Sequence, residues 1–94
     1  MECFDKAVHA KRQGDQPRHL EWLRQAYMLE KEAAQLIAGE FDLEPSRSVL
    51  YRSAASLAMQ WGEMREAERL LAAGLAGFPP EKIADELRDL LAQI

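Results

Sequence analysis

Apolar residues along this chain recur at helical intervals of three and four, and no stretch keeps the period-2 alternation of a half-buried strand. Glycine and proline interrupt the pattern at Gly14/Pro17, Gly39/Pro45, Gly62 and Gly77/Pro79/Pro80, which divides it into five segments. The first, about 2–13, places Phe4, Ala7, Val8 and Lys11 on one side and is short and modestly amphipathic. The second runs from Pro17, a first-turn residue, to Ala38, with Gly39 as the expected C-cap. It carries two adjacent stripes: Trp22, Ala26, Leu29, Ala33 and Leu36, and beside them Leu23, Tyr27, Ala34 and Ile37. So wide an apolar face predicts a helix that touches more than one neighbour.

The linker Gly39–Glu44 follows, with Phe41 and Leu43 expected to tuck beneath the helices as plugs. A third helix opens at Pro45 and ends at Gly62, with Leu50, Ala54, Leu57, Ala58 and Trp61 in register. The fourth has Met64, Ala67, Leu71, Gly74, Leu75 and Phe78 at matching spacing. In the fifth, Ile83, Leu87, Leu90, Leu91 and Ile94 form a narrow apolar stripe beside Glu81, Lys82, Asp85, Glu86, Arg88 and Asp89, the pattern of a terminal capping helix. Short connections favour antiparallel neighbours. The expected fold is therefore all-α: a single domain over 1–94, with a first hairpin over 1–39, a second over 44–79 and a capping helix over 80–94.

Ninety-four residues suit one domain. The net charge of −4 is spread evenly, six basic and eight acidic side chains falling in each of 1–43 and 44–94. No basic patch forms, which argues against nucleic acid as a partner. Apolar runs fall far short of the ~20 residues that span a bilayer, and the N-terminus lacks the apolar core of a signal peptide. The lone cysteine, Cys3, has no internal partner and suits a reducing, cytoplasmic setting.

Residues 48–81 resemble a tetratricopeptide repeat, a helix–turn–helix unit of about 34 residues. Tyr51, Ala54, Ala55 and Ala58 stand at its first-helix signature positions, Gly62 at the turn, Ala67, Leu71 and Gly74 in the second helix, and Pro79 at the close. A generic antiparallel helical hairpin fits the same spacing. Residues 1–38 resemble a degenerate second unit, with Gly14 at the turn, Ala7 and Ala10 before it and Leu23 and Ala26 after it; Lys6 and Pro17 depart from the pattern. Over 44–91 the chain also resembles a family of small bacterial proteins described as tetratricopeptide-like, with no assigned activity. Two units are fewer than the three that usually stabilise such an array. That implies either a closed bundle or self-association, with a homodimer through the first two helices as one form.

From Pro45 to Trp61 there is no acidic residue, although acids are dense elsewhere. Either this helix is buried on its polar side or it lines a groove. In tetratricopeptide units the first helix lines the concave surface, and the resemblance implies partner contacts at Val49, Arg52, Ser56, Met59 and Gln60. Arg52 could grip a carboxylate, or pair with a local acid instead; Met59 could adapt to an apolar side chain. Arg47 and Arg52 together make a poor phosphate site, and Ser46 or Ser48 reads as a cap or first-turn residue. Trp22, Tyr27, Tyr51 and Trp61 read as core more readily than as a binding box, their indole N–H groups reaching a carbonyl or water.

His9, His19 and Cys3 lack metal-ligand spacing, and no nucleophile elbow, phosphate loop or HExxH motif occurs. No metal, cofactor or catalytic residue is nominated. The expected role is a protein-interaction module or adaptor with a protein or peptide partner. A small regulatory or antitoxin-like subunit in a tight stoichiometric complex is the alternative, and a hydrolase or nuclease the remote one.

Overall fold

The computed structural model describes residues 16–94, with side chains from Arg18 onward. The helix expected over 2–13, with Cys3, His9 and the Gly14 turn, lies outside the described residues. The described chain is all-helical: α1 (Gln16–Leu36), a 3-10 turn (Phe41–Leu43), α2 (Ser46–Gln60), α3 (Met64–Leu75) and α4 (Glu81–Ala92).

α2 lies at the centre, packed against α1, α3 and α4. Tyr51, Ala54, Ala55, Leu57 and Ala58 are buried along it. Leu23, Ala26, Tyr27 and Ala34 of α1, Ala67, Leu70 and Leu71 of α3 and Leu87 of α4 complete the main core. The small residues Ala55, Ala67 and Gly74 are all buried. At Gly74 a Cβ would stand 3.2 Å from that of Tyr51, so the two backbones pack as closely as side chains permit.

The turn from α2 to α3 follows from one glycine. Gly62 has φ +91°, a left-handed conformation that side chains with a Cβ disfavour. The Gly62 amide donates to the Met59 carbonyl (3.2 Å) and the Glu63 amide to the Ala58 carbonyl (2.8 Å). These are the two reversed bonds of a Schellman cap, which satisfy carbonyls that α2 leaves open.

Several expectations are corrected. α1 ends at Leu36, and Gly39 has no left-handed φ; the chain leaves through tight i→i−3 bonds such as Ile37 N–H to Ala34 C=O. Of the two α1 stripes, one buries Leu23, Tyr27 and Ala34 with Ile37 half-buried, and the other fully buries only Ala26. Leu29 and Leu36 are 56% and 80% exposed, because α2 covers one side of the helix and no other described element packs there. Phe41 and Leu43 are surface residues, not plugs, and Phe78 lies past the end of α3, 71% exposed. Phe41 and Phe78 meet edge to face, centroids 5.4 Å apart.

Beneath that aromatic pair sits Arg47, 3% exposed. Its Nε donates to the Ala38 carbonyl (2.5 Å), just beyond α1. Its Nη2 and Nη1 donate to the Ala73 (2.8 Å) and Gly74 (3.4 Å) carbonyls in the last turn of α3. A cation at helix C-terminal ends is favoured by both the open carbonyls and the helix dipole. The start of α2 therefore lies beside the end of α3, and the two run back along each other. The rings of Phe41 and Tyr51 flank the guanidinium at 5.0 and 5.1 Å.

Glu44 supplies the countercharge, its Oε2 3.9 Å from Arg47 Nη1. Oε1 accepts from the Ser48 amide (2.9 Å) and hydroxyl (2.5 Å), and Oε2 accepts from the Phe78 amide (2.8 Å). Glu44, not a serine, thus caps α2; Ser48 is a buried first-turn residue. Burial alone would raise the Glu44 carboxyl, but the Ser48 and Phe78 hydrogen bonds and the nearby Arg47 outweigh it and hold the group below its ordinary value. Gly77 makes room: a Cβ there would fall within 3 Å of the Arg47 guanidinium carbon.

Candidate functional site

An open cleft of about 540 Å³ lies between α2 and α4. α2 contributes Arg52, Ser53, Ser56, Leu57 and Gln60, which share one side of the helix at i, i+1, i+4, i+5 and i+8. α4 contributes Glu86, Asp89 and Leu90 by the same periodicity. Leu57 is 3% exposed and Leu90 half-buried, so they form an apolar floor. The serines are short, and their small volume leaves the space open.

The far wall is held by α4, whose Leu87 is fully buried and Ala84 nearly so. Arg52 and Glu86 form a hydrogen-bonded ion pair across the mouth, their side chains 30% and 37% exposed. A pair this open adds little stability, under about 1 kcal/mol. Arg52 thus already has a carboxylate on its own chain.

Of the five residues proposed from sequence, Arg52, Ser56 and Gln60 line the cleft. Val49 is on the same helical side a turn earlier, outside it. Met59 is half-buried against the core instead. Glu86, Asp89 and Leu90 were absent from that set. Their signal was present, because the i, i+3, i+4 spacing puts both acids beside the apolar stripe of α4. What the sequence lacked was the pairing of α4 with α2.

Tyr27 and Tyr51 are core residues at 4% exposure each, while Trp22 and Trp61 pack partly buried against the core. The Trp61 Nε1 is buried and meets no hydrogen-bond acceptor among the described residues. Among the described residues no three His, Cys, Asp or Glu side chains gather as for a metal ion, and no helix is long and apolar enough to cross a membrane. Together the fold and site define, over the described residues, an all-helical protein with an open, mixed polar and apolar cleft beside its central helix. Set against known proteins, the chain matches no family model, no curated sequence and no solved structure.

Proposed function

We propose that this chain is a non-catalytic, tetratricopeptide-like protein-docking module that holds a peptide segment of a partner in the cleft between α2 and α4. The observation that carries this reading is the cleft itself. An apolar floor at Leu57 and Leu90 lies under hydrogen-bonding groups from Ser53, Ser56 and Gln60, the mixture by which peptide grooves combine affinity with orientation. The antiparallel α2–α3 pair, its glycine turn and its buried small residues support the tetratricopeptide-like assignment. In that assignment α2 is the groove-lining helix and α4 the cap.

Panning a displayed random-peptide library against the wild-type chain tests the proposal. Ser56→Trp, with helicity checked by circular dichroism, fills the cleft. Peptides retained by the wild type and released by Ser56→Trp support docking there; equal retention removes the cleft from consideration.

The second reading, a homodimer through the α1 side of the chain, is favoured by the exposed Leu29 and Leu36. Sedimentation of wild type against Leu29→Glu/Leu36→Glu distinguishes it. A dimer that dissociates in the variant supports this reading, and a wild-type monomer rules out self-association.

A further inference from the structure

The docking reading leaves the chemistry of the bound segment open, and the charges around the cleft narrow it. α2 brings one cation, Arg52, and no acid; α4 brings Glu86 and Asp89. Arg52 is taken by Glu86. On the outer side of α4, Arg88 is taken by Asp85 (2.7 Å) and Glu81 (3.4 Å). Asp89, exposed on the lip of the cleft, has no ion-pair partner among the described residues. With Glu86 matched by Arg52, Asp89 is the unmatched charge among the residues that line the cleft, in a chain of net charge −4.

Resting on the docking reading, we infer that the cleft selects a basic amphipathic peptide segment, one carrying a Lys or Arg beside a bulky apolar side chain. The apolar side chain lies on Leu57 and Leu90. Its basic neighbour meets Asp89, which stands about one turn beyond Glu86 on the same side of α4. Gln60 and Ser56 face the peptide backbone, whose amide and carbonyl groups need both donors and acceptors. An acidic segment is disfavoured twice: Arg52 is occupied by Glu86, and Asp89 repels a second carboxylate. Nucleic acid and anionic lipid are disfavoured for the same reason.

The test uses the full chain and two displayed peptide libraries that are random except for a fixed central pair, Leu-Arg in one and Leu-Glu in the other. Asp89→Lys reverses the charge at the lip. It places a cation in the last turn of α4, where the helix dipole welcomes it, so the variant is expected to fold. The wild type should enrich Leu-Arg over Leu-Glu by about tenfold or more, and Asp89→Lys should cancel or invert that preference. Leu-Arg binders should also weaken as salt rises, as expected for exposed charges. Equal enrichment of both libraries, or a preference that Asp89→Lys leaves unchanged, overturns the inference. If peptides bind irrespective of charge and Ser56→Trp still releases them, docking stands and the basic preference falls. If neither library is enriched, docking and preference fall together.

Discussion

A charged side chain buried as deeply as Arg47 is tolerated only where it meets groups that would themselves be unsatisfied without it. Its guanidinium donates to three carbonyls that α1 and α3 leave open, and Glu44 balances the charge. Arg47→Leu removes those donors and strands a nearly buried carboxylate. It is expected to cost about 3–5 kcal/mol, read as a lowered urea midpoint. Glu44 also makes stability depend on pH. Its carboxyl is held below the ordinary 4.5, so the unfolded chain takes up the proton first. The stabilisation is full above that ordinary value and drains away as pH falls through the folded one. Urea midpoints between pH 7 and pH 3 should fall less steeply in Glu44→Gln, which starts lower, than in the wild type. An equal slope in both would show that Glu44 is not the group responsible.

At the level of elements, each helix depends on a few contacts that differ in kind. Gly62 closes α2 by conformation alone, since a Cβ there meets nothing within 4 Å. Gly62→Ala should therefore cost about 1–2 kcal/mol, the penalty of a left-handed residue, with no loss of packing. α4 is held by Leu87, which is fully buried. Leu87→Ala should cost about 2–5 kcal/mol and weaken peptide binding as well, because the cleft loses its second wall. Retained binding in a folded Leu87→Ala chain would mean that α4 is not part of the site. The helices over 16–94 were legible from periodicity and from Gly62, Pro45 and Pro79/Pro80, where local chemistry leaves one choice. Arg47 was half legible: extending the stripe Ala58, Ala54, Tyr51 back by four residues lands on it, which places a cation on the buried side. Its carbonyl partners at Ala73 and Gly74 were not, because they are backbone groups from a distant helix end. Leu29 and Leu36 misled for a related reason. Amphipathic spacing marks the side of a helix that is apolar, not which element covers it.

Across the whole described molecule, Arg47 joins the close of α1, the start of α2 and the close of α3. A second ion pair, Lys31 to Glu66 at 3.6 Å, links α1 to α3. An open cleft on one flank and exposed leucines on α1 leave two surfaces for a partner, and the peptide and sedimentation experiments separate them. The shared guanidinium also governs how the protein opens. Three segments hung on one side chain cannot fray independently, because releasing any one exposes polar groups belonging to the others. Amide hydrogens in the last turns of α1 and α3 should then exchange with a common opening free energy, as one cooperative unit. In Arg47→Leu, α1 should exchange faster and separately from α3.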